Sequence, residues 1–128
     1  EVYSTGLLNS DIIRLCKQRS IGTALYIYAD AAEPKSIAEI KRAGIRVLPA
    51  KKGADSINFG IGLMQEQDII ITKRSKNVIK EFQSYTWAKT RTGERLNKPT
   101  DINNHAIDGI RYCIMELFGK PKGVYHVS

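Results

Sequence analysis

Apolar residues recur along the chain in two rhythms, a spacing of three and four residues and short unbroken runs, and the two take turns. Asn9 and Ser10 offer helix N-caps ahead of Ile12, Ile13, Leu15 and Cys16, whose spacing predicts a first helix ending near Ser20 and Gly22. The run TALYIYA at 23–29, rich in β-formers, predicts a strand covered on both faces and ending at Asp30. Residues 31–34 break that strand. Ser36 is expected to cap a helix running to about Ala43, with Gly44 where a left-handed C-cap belongs. A strand over 45–48 follows. Asp55 or Ser56 then caps a helix through Ile57, Ile61, Leu63 and Met64, made less regular by Gly60 and Gly62. Beyond it the pattern predicts a short strand at 69–72, a helix over 75–83, a strand at 84–89 and a long polar loop over 90–103. The last helix, 104–118, carries Ala106, Ile110, Cys113, Ile114 and Leu117 as its buried stripe before Gly119 and Pro121 stop it. Val2 and Tyr3 read as the tail of a strand whose beginning is absent. Strand and helix alternate along most of the chain, which predicts an α/β fold with helices flanking a sheet.

Composition narrows the picture. A chain of 128 residues, 42% of them apolar, supports one core and leaves little room for another. Residues 1–128 are therefore read as a single domain that lacks its N-terminal strand or strands. The formal charge of +7 and a sequence pI of about 9.5 point to a polyanionic partner, nucleic acid first, because each phosphate neutralised by Lys or Arg releases condensed counterions. Cys16 and Cys113 sit inside apolar-periodic segments without CxxC or Cys/His spacing, which argues against zinc and suits a reducing compartment. No apolar run approaches the roughly 20 residues of a membrane span, and nothing near Glu1 resembles a signal peptide. The expectation is a soluble, cytoplasmic protein with no membrane partner.

Two acids stand out. Asp30 follows directly on a predicted strand, at the carboxyl edge where open α/β sheets place their ligands. His105 and Asp108 lie three apart on the last helix and share a face, with Tyr112 one turn on. If that helix starts beside the strand edge, Asp30 and Asp108 share divalent cations, since paired carboxylates are stable as anions when a cation lies between them and Mg²⁺ and Mn²⁺ prefer oxygen ligands. Two ions about 4 Å apart would activate a water and stabilise a leaving phosphodiester oxygen. His105 would act as general acid/base or as an orienter of the metal site, and the residues leave that choice open. Each residue also has a plainer role: Asp30 as turn former, Asp108 as complement to the helix dipole, His105 as an exposed helix start.

Three segments carry a resemblance. YADAAEPKSI at 28–37, KKGADSINFGI at 51–61 and NHAIDGIRY at 104–112 closely resemble, in order, three motifs of the nuclease domain of tailed-phage large terminase subunits. The resemblance implies a ribonuclease-H-like mixed sheet flanked by helices. It implies metal-dependent endonucleolytic cutting of concatemeric viral DNA during genome packaging, with two Mg²⁺ or Mn²⁺ ions. Carried over by position, Asp30 and Asp108 are metal ligands and His105 accompanies them as a catalytic residue. The partners implied are double-stranded DNA, the small terminase subunit and the portal protein, in the cytoplasm of a bacterial host.

The sequence departs from the family in one respect. The family's first catalytic Asp precedes the segment matching Glu1-Val2-Tyr3, and none of the 128 residues takes its place. The chain as it stands is accordingly expected to bind metal weakly and to cut poorly or not at all. There is also no GxxxxGK[ST] phosphate loop for a motor ATPase. Lys35, Lys51, Lys52, Arg91 and Arg95, in or beside predicted loops, are the candidates for phosphate contact, and the loop over 90–98 is the candidate for a mobile element over the cleft. Two alternatives remain: another ribonuclease-H-like nuclease such as a junction resolvase, and a non-catalytic module that binds DNA or a packaging partner.

Overall fold

A computed structural model describes residues 1–53 and 56–119. It contains five helices and four strands in the order α1 (Asn9–Gln18), β1 (Ile27–Ala29), α2 (Pro34–Arg42), β2 (Val47–Pro49), α3 (Ser56–Gln65), α4 (Lys76–Ser84), β3 (Trp87–Lys89), β4 (Arg95–Pro99) and α5 (His105–Phe118). The alternation expected from the hydrophobic pattern is present, with strands shorter than their apolar runs. Only 27–29 of the 23–29 run enter a ladder, while Leu25 is 80% exposed. Val2 and Tyr3 are exposed and outside any strand. The candidate cap Asp55 lies outside the described residues.

The apolar residues gather in two cores. In the first, Cys16, Ile40, Ile45 and Val47 are buried among Ile12, Ile13, Ile27 and Ile37, joining α1, α2 and the parallel pair β1–β2. Ile27 pairs with Val47 and Ala29 with Pro49, and the next residue after β1 is Asp30. Helix α2 starts two residues before the predicted cap, because Pro34 fits the first helical turn, where its missing N–H costs nothing. Ser36 instead accepts a hydrogen bond from Asn9 Nδ2 at 3.2 Å.

In the second core, Met64, Ile107 and Ile114 are buried among Leu63, Ile69, Phe82 and Ile110, joining α3, α4 and α5. Here the predicted strand at 69–72 is absent: Ile69 packs inward, Ile70 is 92% exposed, and the segment joins no ladder. Three consecutive isoleucines without a partner strand satisfy their side chains one at a time. The apolar stripe of α5 is also rotated from its expected position. Its buried residues are Ile107, Arg111 and Ile114, whereas Leu117 is 61% exposed. Arg111, outside the expected stripe, lies inside the fold.

The segment 90–103 is not a long loop. Thr90 N–H donates to Glu94 O at 2.8 Å and Gly93 N–H to Thr90 O at 3.0 Å, closing a turn in which Gly93 takes φ +88°. Strand β4 then returns antiparallel to β3, with Trp87 opposite Pro99 and Lys89 opposite Arg95. Charged side chains hid this strand from a reading based on apolar alternation, as edge strands commonly do. Both cysteines are free thiols, pushed up by burial and away from thiolate chemistry. No helix among the described residues is long and apolar enough to cross a membrane.

Candidate functional site

Helix α5 belongs to the second core and also packs against β1 of the first, so the C-terminal end of β1 and the first turns of α5 face a common space. That space is a cleft of about 860 Å³, lined by Asp30, Asp108 and residues from α3, β3 and β4. Asp30 and Asp108 thus line the same cleft. His105 is exposed and is not among the lining residues.

Each carboxylate carries its own cation. Lys52 Nζ lies 2.6 Å from Asp30 Oδ1, and the Ala32 N–H donates to the same oxygen at 3.0 Å. The Lys52 hydrogen bond, followed by that of Ala32, holds the Asp30 carboxyl below its usual value, and the same contact raises the Lys52 ammonium. Arg111 Nη2 lies 3.1 Å from Asp108 Oδ1, one helical turn away on α5. Both cations stand over one ring, with Lys52 Nζ 5.8 Å and Arg111 Cζ 5.1 Å from the Tyr112 centroid. At the back of the cleft, burial pushes the Tyr85 hydroxyl up, and the charge of Asp108 adds to it.

Three residues that build this geometry escaped the sequence reading. Arg111 is 4% exposed, and its stem lies so close to Gly60 that a Cβ there would stand 2.6 Å from Arg111 Cγ and 2.7 Å from Cδ. Gly60, read from sequence as a flaw in α3, is the space that admits Arg111. The i,i+3 spacing of Asp108 and Arg111 was the available signal. Glu81 on α4 is also buried, and its Oε1 accepts the N–H groups of Ala106 at 2.8 Å and Ile107 at 3.2 Å. A carboxylate from another helix thus satisfies the first turn of α5, where the partial positive charge of the dipole favours an anion. Nothing in the local sequence of α5 announces it.

The candidate phosphate contacts divide. Lys52 lines the cleft, as does Lys98 on β4. Lys51 turns away to Glu116, at 3.8 Å. Arg95 is held over Trp87, 4.8 Å from the ring centroid, while Lys35 and Arg91 are exposed outside the cleft lining. The segment expected to be a long loop over 90–103 contributes Asn97, Lys98 and Pro99 to the wall as part of β4, and Asn58 Nδ2 donates to Asn97 O at 2.9 Å across it.

The donor set suits a hard divalent cation. Both acids supply oxygen, and in each the engaged atom is Oδ1; among the described residues neither Oδ2 has a hydrogen-bond partner. Among the described residues no three His, Cys, Asp or Glu side chains come together around one point.

Residues 1–116 match the family model of the terminase RNAseH-like domain. The large terminase subunit of Bacillus phage SPP1 is 37% identical over 91 residues, covering 68% of this chain and 22% of that protein. The PBSX phage terminase large subunit of Bacillus subtilis strain 168 is 32% identical over 95 residues, covering 73% of this chain and 22% of that protein. The chain thus spans about a fifth of the length of the curated relatives it matches. Among solved structures, the nuclease domain of the SPP1 large terminase with bound Mn superposes with a TM-score of 0.79 at 28% identity, covering 91% of this chain and 67% of that one.

Proposed function

The chain belongs to the terminase RNAseH-like domain family, and from that membership and the two-acid cleft we propose that it is the nuclease unit of a phage large terminase, cutting concatemeric DNA during packaging. One observation carries the reading: Asp30 and Asp108, supplied by different cores and far apart in sequence, line the same cleft. Bound Mn in the SPP1 neighbour supports a divalent cation as cofactor. Asp30 and Asp108 would hold Mg²⁺ or Mn²⁺, as a pair of ions, through their carboxylate oxygens. Such ions would supply an activated water and charge compensation for the leaving ester oxygen.

The chain's own residues do the rest. Arg111 fixes the orientation of Asp108 from inside the fold, and Glu81 fixes the helix turn from which Asp108 projects. Lys52 and Lys98 draw the DNA backbone into the cleft without reading sequence. Hydrolysis places the water oxygen on phosphorus, breaks one bridging P–O bond and returns a proton to the departing oxygen. His105 is exposed and lies outside the cleft lining, so we assign it no step in the cut. Double-stranded DNA is the substrate, and the small terminase subunit and portal protein are the assembly partners.

Plasmid nicking tests this. With Mn²⁺ the chain is expected to nick supercoiled DNA slowly, since two carboxylates supply few of the roughly six ligands a hard cation takes. Asp30→Asn and Asp108→Asn each abolish that activity. Preference for a four-way junction over linear duplex would instead indicate a resolvase, and DNA binding with no divalent-ion site would indicate a pure binding module.

A further inference from the structure

Arg111 and Lys52 make the same kind of contact to the two acids, but they are held differently. Arg111 is 4% exposed, with its stem packed against Gly60 of α3. The side chains of Lys52 and Asp30 are 48% and 54% exposed, and Lys52 stands on residues 51–53, which belong to neither β2 nor α3. An exposed pair of this kind is held by little more than its own geometry and exchanges readily with solvent ions. The Tyr112 ring, 5.8 Å from the ammonium, offers a face along which the Lys52 head can swing without losing all its partners.

We propose that Lys52 is a displaceable counter-ion of Asp30: it neutralises the carboxylate until a divalent cation takes that oxygen ligand, and the released ammonium then binds a DNA phosphate in the same cleft. The inference rests on the metal-site reading above and assigns Lys52 two alternative partners. One ammonium cannot serve Asp30 and a phosphate at full strength together, so the three events are linked. Metal loading raises the affinity for DNA, and by reciprocity DNA raises the affinity for metal. Arg111, locked in place, takes no part in the exchange.

Calorimetric titration of the 128-residue chain with Mn²⁺, alone and with a short DNA duplex, tests the linkage. Lys52→Gln is expected to tighten Mn²⁺ binding in the absence of DNA by roughly three- to tenfold, because a competing cation is gone. The same variant weakens duplex binding, lowers its salt slope by about one phosphate contact, and loses the mutual enhancement of metal and DNA. Lys52→Met, which removes the charge and keeps an apolar stem, behaves alike, and Lys52→Arg preserves the linkage. Lys51→Gln, removing equal charge from the neighbour that faces Glu116, leaves Mn²⁺ affinity close to that of the parent. The proposal is overturned if Lys52→Gln and Lys52→Met bind Mn²⁺ no more tightly than the parent while Asp30→Asn abolishes binding; the metal site then stands and its counter-ion role does not. If Asp30→Asn leaves Mn²⁺ binding unchanged, the metal-site reading fails and this inference with it.

Discussion

Asp108 and Asp30 line one cleft, yet the fold treats them as a fixed half and an open half. Asp108 projects from α5, whose first turn is capped by buried Glu81 and whose Arg111 is wedged against Gly60. Asp30 projects from the end of a three-residue strand and meets an exposed lysine on a connecting segment. The difference follows from packing. The Arg111 stem is packed against α3 and its side chain is nearly buried, whereas an ammonium at the surface exchanges partners at small cost. One acid is thereby preorganised, and the other is left free to change its counter-charge.

Replacing Arg111 is the severest way to break this contrast. Arg111→Ala empties a buried site and removes the partner of Asp108, so urea denaturation should register a loss of about 2–4 kcal/mol, tempered by the partial exposure of Asp108. Gly60→Ala attacks the same contact from the opposite helix without touching a charge. Its Cβ must displace the Arg111 stem and the Met115 sulfur, at a cost of about 1–3 kcal/mol and with an altered Asp108 environment by NMR. Glu81→Ala uncaps α5 and should cost about 1–2 kcal/mol, with faster amide exchange at Ala106 and Ile107. On the open half, Lys52→Gln should change stability by less than about 1 kcal/mol, whichever sign is measured.

Acidity sharpens the comparison from another side. The Asp30 carboxyl is held below its usual value, so its contribution to stability is present above the unfolded carboxylate pKa and is lost as pH falls through the lower folded value. The Asp30–Lys52 contact should therefore persist at neutral pH and disappear only in acid, below the ordinary Asp range near 3.8. Carboxyl-carbon NMR titration reads this directly. A midpoint above 3.8 for Asp30 would contradict the hydrogen-bonded geometry.

How much of this the sequence revealed differs between the two halves. Asp30 was legible because a strand end and a motif coincide there, and Asp108 because helical spacing placed it beside His105 at a helix start. Lys52 was picked out for its charge, though as a DNA contact and not as a partner of Asp30. The packing roles of Arg111, Gly60 and Glu81 were not read from the sequence, and for one physical reason. Each acts through a tertiary contact, and periodicity assigns arginine and glutamate to solvent and glycine to disorder of a helix. The strand β4 was missed because its side chains, Arg95, Asn97 and Lys98 among them, carry the polarity of a loop. The expected strand at 69–72 failed for the opposite reason, since three isoleucines have strong β propensity but find no strand to pair with among the described residues.

The central claim is that Asp30 and Asp108 together hold one divalent-cation centre, and paramagnetic broadening tests it most directly. Substoichiometric Mn²⁺ added to ¹⁵N-labelled protein should erase the amide signals around Asp30 and around Asp108 at the same metal concentration, with both sets restored in Asp30→Asn and in Asp108→Asn. Broadening confined to one of the two segments, or scattered over the other surface acids, would contradict the account.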